Sequence, residues 1–143
     1  MDGSDLAEKV LPSVIDLAKG LDLEVILFRA YTVPSAIYGA VGAYAIDPDQ
    51  LTAAIESDVS QYLEEKVDAL RKAGLEKVSC ASAEGLSADE IIKFARRTPD
   101  NLIAMCSHGR SGISRWMLGS VTETVVRHCG DPVLISRPPS GAA

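Results

Sequence analysis

Aromatic residues are scarce in this chain, with one tryptophan, two phenylalanines and four tyrosines among 143 residues. A buried core must therefore be aliphatic. A basic excess is also missing: the net charge is -6, which argues against a surface that tracks nucleic-acid phosphates. No apolar run approaches the ~20 residues that a membrane-spanning helix needs, and no charged-then-apolar leader opens the sequence. The expected location is cytoplasmic. Only three cysteines occur, Cys80, Cys106 and Cys129, an odd number at wide spacings that forms neither a disulfide framework nor a zinc pattern. They read as reduced, buried thiols. Histidines number two, His108 and His128, and neither has a serine elbow or a carboxylate at triad spacing. No catalytic residue is assigned.

What remains fits one soluble globular domain over residues 1–143, since domains commonly run to ~100–150 residues, with 137–143 as a flexible tail. The charge is uneven. Acidic residues crowd the first half, while Arg96, Arg97, Arg110, Arg115 and Arg127 lie in the second. Any anion site belongs in the second half.

Leu6, Val10, Val14, Ala18 and Leu21 recur at helical spacing after Ser4, a good N-cap, so one helix is predicted from there to Gly20. Glu24 to Phe28 is a short, nearly continuous apolar run, the pattern of a strand covered on both faces. Thr32 to Asp47 reads as a long loop, a candidate lid. Asp47-Pro48-Asp49-Gln50 starts a second helix, whose stripe is Leu51, Ile55, Val59, Leu63, Val67 and Leu70 and whose end is Gly74. Lys77 to Ala83 is a strand, and Ser87-Ala88-Asp89-Glu90 a capping box for a helix closed by Pro99. Asn101 to Cys106, Ser120 to His128 and Pro132 to Arg137 read as strand, helix and strand. Strands alternating with helices predict an α/β fold with a parallel sheet covered by helices on both faces.

The richest stretch is Cys106-Ser107-His108-Gly109-Arg110-Ser111-Gly112, followed by Gly119-Ser120 at the head of a helix. Free amides at a helix N-terminus and the positive end of its dipole favour a phosphate there. Gly109, Gly112 and Gly119 let a ligand approach the backbone, and Arg110 adds a charge-assisted contact. Each glycine also suits a plain turn, and Ser120-Val121-Thr122-Glu123 reads equally as a capping box. No Lys-Ser/Thr follows the glycines, so this is not a Walker loop, and the spacing is not that of a dinucleotide fingerprint. Cys106 near a helix N-terminus and Arg110 raises the idea of a reactive thiol, against a small residue that merely ends a strand. Trp116 and Met117 suit either a ligand cover or the edge of the core.

Over nearly its full length the chain resembles the universal stress protein family. The matching segments are Asp2-Gly3-Ser4, Glu24-Val25-Ile26-Leu27, Gly85, Met105 to Glu123 and Pro132-Val133-Leu134-Ile135. ATP-binding members carry G-x2-G-x9-G-S/T; here the pattern reads Cys106-x2-Gly109-x9-Gly119-Ser120, with cysteine for the first glycine. The resemblance implies a flavodoxin-like, Rossmann-like sheet. It further implies that Gly109, Gly119 and Ser120 cradle the phosphates of ATP or AMP beside Val121, with Asp2, Ala30 and Met105 around the nucleoside. Asp2 and Asp5 are the carboxylates available to an accompanying magnesium ion. A homodimer through the edge strand Pro132 to Arg137 is implied as well. With no positioned general base in view, the expected protein is a stress-response regulatory module in which any ATP hydrolysis is slow. The alternative is a dimeric scaffold of the same family that binds no nucleotide.

The family pattern places a strand in the middle of the sheet, ending near Asp2, whereas this sequence starts at Met1. The expectation is a chain shortened at its N-terminus, with the apolar stretch Ala36 to Ile46 as another candidate to fill the gap.

Overall fold

In a computed structural model, the chain is described over residues 1–33, 48–107 and 118–137. The predicted loop Thr32 to Asp47 from residue 34 on, which includes Ala36 to Ile46 and the Asp47 cap, lies outside the described residues, as do His108 to Met117 and the tail from residue 138. Helices α1 (Asp5–Glu8) and α2 (Leu11–Leu21) lead into β1 (Val25–Tyr31), α3 (Pro48–Lys72) and β2 (Val78–Glu84). They are followed by α4 (Ser87–Arg97), β3 (Ile103–Cys106), α5 (Ser120–His128) and β4 (Val133–Ser136). Among the described residues, no helix is long and apolar enough to cross a membrane.

The single helix expected at the start is two. Ser4 does cap α1, its hydroxyl accepting the Ala7 N–H at 3.2 Å. Pro12, however, has no N–H to return to the Glu8 carbonyl and its ring crowds that oxygen, so the helix breaks and restarts with proline in its first turn. Gly20 does not end it. The chain leaves α2 at Asp22, which takes the left-handed conformation with φ 53°.

The expected α/β architecture of parallel strands covered by helices is present. β1 pairs with β2 from Val25↔Val78 to Tyr31↔Glu84, and β3 pairs with β4 from Ile103↔Val133 to Cys106↔Ser136, both in parallel. Apolar cores form on two sides. Ala18, Val25, Leu27, Val59, Leu63, Val67, Leu70, Leu75 and Val78 join α2 and α3 to β1 and β2. The predicted stripe of α3 supplies four of them, at the spacing that keeps one helical face inward. Ile92, Val125 and Cys129 anchor the other core, with Ile103, Met105, Val121 and Val133 packed against them. Phe28 and Phe94 stack with centroids 4.6 Å apart, tying α4 to β1.

Among the described residues the strands form two two-stranded sheets, β1 with β2 and β3 with β4. A cavity of about 430 Å³ lies between them, walled by Val10, Val14 and Leu17 from one side and by Ile91 and Phe94 from the other.

Candidate functional site

The carboxyl ends of parallel strands are where open α/β sheets place ligands, because the helices that follow point their N-termini there. On the β3 side this corner is built tightly. The Thr122 hydroxyl donates to the Cys106 carbonyl at 3.0 Å, and the Gly119 N–H donates to the Ser107 carbonyl at 2.7 Å. Ser107 is completely buried and its own N–H bonds the Ser136 carbonyl at 3.0 Å. Two hydrogen bonds thus hold the start of α5 against the end of β3, and a third holds that end to β4.

Both capping boxes expected from the sequence fail, for one reason: the serine sits one position too late. Leu86 and Gly119 occupy the N-cap positions of α4 and α5, and neither helix has a side-chain cap. Glu90 pairs instead with Lys93, and Glu123 with Arg127 at 2.8 Å. The consequence matters at α5. Ser120 is the first helical residue and is exposed; its hydroxyl and the N–H groups of Ser120, Val121 and Thr122 have no acceptor among the described residues. Donors so arranged suit an anion.

Of the remaining predicted residues, Met105, Val121, Asp2, Cys106 and Ala30 are described. Met105, next to last in β3, is half-buried against the smaller core, and the Val121 side chain packs on the same core. Asp2 lies before α1, where its Oδ1 accepts the Ser4 N–H at 2.9 Å and the Ser4 hydroxyl at 2.6 Å. Cys106 is buried, with its Sγ 3.8 Å from the Ala7 carbonyl of α1. Burial raises its thiol pKa, with the Asp2 carboxylate adding to the shift, so it is no activated thiolate. Cys129 is also buried and Cys80 half-buried, all three as free thiols. Ala30 stands across the gap near the end of β1, in register with Ala83. Gly109, Arg110 and Gly112, together with His108, Trp116 and Met117, lie outside the described residues. No group of three or more metal-ligating side chains occurs among the described residues.

Sequence reasoning missed Thr122 and Ser107, whose hydroxyl and carbonyl fix the helix start, and it missed Arg29. The Arg29 guanidinium lies 4.9 Å from the Tyr62 ring centroid. It would be 3.4 Å from a Cβ at Gly3, which has φ +78°, so this glycine supplies both the turn and the room. Tyr62 in turn donates to Glu8 at 3.0 Å, and Lys66 bonds the other Glu8 oxygen at 2.7 Å. That network fastens α1 to α3. Burial, then the Glu8 hydrogen bond, pushes the Tyr62 pKa up to about 12, while the Lys66 hydrogen bond holds the Glu8 carboxyl below its usual value.

Comparison with known proteins supplies the context. The family profile described as the universal stress protein family matches residues 1–137. A universal stress protein of Methanocaldococcus jannaschii is 31% identical over 138 residues, covering 96% of this chain and 79% of the relative. Among solved structures, the universal stress protein UspA from Lactobacillus plantarum superposes with a TM-score of 0.77 at 17% identity, over 96% of this chain and 93% of that one. A universal stress protein in complex with cAMP gives a TM-score of 0.65 at 23% identity, over 96% of this chain and 91% of that one.

Proposed function

This chain belongs to the universal stress protein family, and on that premise we propose that it is a regulatory protein that binds an adenine nucleotide, ATP or AMP, at the carboxyl edge of β1 and β3. The observation that carries this reading is the start of α5: an exposed Ser120 hydroxyl and three amide donors with no acceptor among the described residues, held against β3 by Thr122 and Gly119. Phosphates dock there, assisted by Gly109, Gly112 and Arg110 from the preceding loop, with magnesium carried on the phosphates and Asp2 nearby. The nucleoside lies toward Asp2, Ala30 and Met105. The cAMP complex of a structural neighbour supports an adenine nucleotide as the ligand class. Cysteine in place of the motif's first glycine is compatible with this, because the Cys106 side chain is buried against α1.

Titration of the purified protein with a fluorescent ATP analogue tests the reading, with unlabelled AMP and cAMP as competitors. Saturable, competed binding is expected, and Ser120→Ala weakens it about five- to tenfold by removing one hydroxyl contact, worth about 1 kcal/mol. The absence of saturable binding at millimolar ligand rejects the proposal in favour of the non-binding scaffold.

The same reading includes a homodimer through β4. Val133 and Ile135 alternate with the residues that face β3, so their backbone groups point outward from this edge of the described sheet. Ile135→Pro removes an outward N–H while sparing the ladder to β3, and light scattering should then report a monomer. A dimer unchanged by that substitution places the interface elsewhere.

A further inference from the structure

Arg29 of β1 is a half-buried cation that the fold does not pair with an anion. Glu8, the carboxylate of the neighbouring network, is taken by Lys66 at 2.7 Å and by the Tyr62 hydroxyl at 3.0 Å. Among the described residues no carboxylate lies within ion-pair distance of the Arg29 guanidinium, and no acceptor takes its N–H groups. Two contacts hold it instead. One is the Tyr62 ring, 4.9 Å away, which also receives Lys66 at 5.5 Å. The other is the backbone of Gly3: Nη1 and Nη2 stand 3.4 and 3.5 Å from the point where a Cβ at Gly3 would lie. Partly desolvating a guanidinium against a tyrosine and a glycine carries a cost that an apolar side chain over the same ring would avoid, so the charge points to a task beyond packing.

The turn at Gly3 is what gives Asp2 its place. Gly3 takes φ +78°, and the chain folds back so that the Ser4 N–H and hydroxyl both donate to Asp2 Oδ1, at 2.9 and 2.6 Å. The guanidinium therefore backs the residue that links Asp2 to Ser4. Its charge also acts close to the Asp2 carboxylate: behind burial and the Glu8 contacts, Arg29 lowers and Asp2 raises the pKa of the same Tyr62 hydroxyl. Neighbouring strand residues point to opposite faces, so Arg29 turns to Tyr62 of α3 while Ala30 faces the other way. Arg29 thus works through Asp2 rather than on a ligand itself. In α/β nucleotide-binding folds an acidic side chain beside the nucleoside accepts hydrogen bonds from the ribose hydroxyls. We propose that Arg29 is a positioning residue, which backs the Gly3 turn, keeps the Asp2 carboxylate aimed at the sugar hydroxyls of the bound nucleotide, and so sets a preference for ribose over sugars that lack them. This deepens the adenine-nucleotide reading above and rests on it. Lysine would bring the charge alone; the planar fork of arginine spans the Tyr62 ring and the Gly3 backbone at once.

The test measures the affinities of ATP and 2′,3′-dideoxy-ATP by competition with the fluorescent analogue, for the unaltered chain and for Arg29→Met, Arg29→Lys and Asp2→Asn. The unaltered chain is expected to favour ATP about tenfold or more, the worth of hydrogen bonds to a charged acceptor. Arg29→Met keeps an apolar stem over Tyr62 and should weaken ATP about five- to tenfold while changing dideoxy-ATP by less than about twofold. Asp2→Asn should do the same, and the double variant should be no worse than either single one. Arg29→Lys should fall between. Equal weakening of both nucleotides would overturn the proposal by making Arg29 a phosphate contact or a plain structural residue. An ATP preference unchanged in Arg29→Met, or additive losses in the double variant, would overturn it as well. Should Arg29→Met not fold, Arg29→Lys decides in the same way: a lowered preference supports the proposal and an unchanged one overturns it. An unaltered chain that binds ATP with no preference over dideoxy-ATP overturns this proposal alone, and one that binds neither overturns the adenine-nucleotide reading with it.

Discussion

The half of the molecule built from α2, β1, α3 and β2 and the half built from α4, β3, α5 and β4 differ in strand length and in how much apolar surface they bury. In the first, strands of seven residues pair along their whole length and nine buried residues form one core. In the second, strands are four residues long and three buried residues anchor the core, yet this half carries the α5 donors. A short strand reaches its carboxyl end quickly and hands over to a loop, which suits a binding edge. A long strand maximises buried apolar contact, which suits a scaffold. The difference teaches that the proposed ligand site rests on the part with less burial behind it, so a nucleotide bound there should stabilise this half more than the other.

The largest effect that would separate the halves comes from Leu63, 1% exposed in the larger core. Leu63→Ala should cost about 2–5 kcal/mol in urea denaturation and leave nucleotide affinity in the surviving folded fraction unchanged. Val125→Ala, in the smaller core, should cost less, about 1–2 kcal/mol, and weaken binding as well, since Val125 seats α5. Equal effects of both on affinity would erase the division. Next in size is Thr122→Val, which keeps the shape but leaves the Cys106 carbonyl without its partner. A loss of about 1–3 kcal/mol with several-fold weaker binding is expected, and a binding isotherm unchanged by it would show that this bond does not position the helix.

The smallest effect concerns pH and the contact of α1 with the first half, where Glu8 meets Tyr62 and Lys66 of α3. The Glu8 carboxyl is held below its unfolded value of about 4.3, so its contribution is complete above that pH and is lost as pH falls through the depressed native value. Glu8→Gln should therefore lower stability at neutral pH by under about 1 kcal/mol and flatten the acid limb of the stability profile below pH ~4. A profile that keeps its slope would assign the acid limb to other carboxylates.

Legibility differed from element to element. The α3 stripe from Val59 to Leu70 and the strand at Val25 to Leu27 were plain in the sequence, because periodic burial is written directly in residue type. The break at Pro12 was equally present there, but the helical spacing of Val10 and Val14 concealed it. Both capping boxes were legible as motifs and wrong as structure, since a shift of one residue in where the helix starts moves a serine from cap to first turn. At the site, Cys106, Gly119 and Ser120 could be singled out by spacing. Thr122 and Ser107 could not, because a hydroxyl that braces a neighbouring carbonyl has no pattern of its own.

By itself the sequence determined the class of fold and the covering of the parallel strands by helices, since both follow from local periodicity. Only the tertiary structure decided that the Ser120 hydroxyl is exposed rather than spent on a cap, that Cys106 turns to α1, and that Thr122 and Gly119 tie α5 to the end of β3. These depend on which backbone groups meet in space, and hydrogen-bond partners far apart in the chain are not encoded in the order of neighbours.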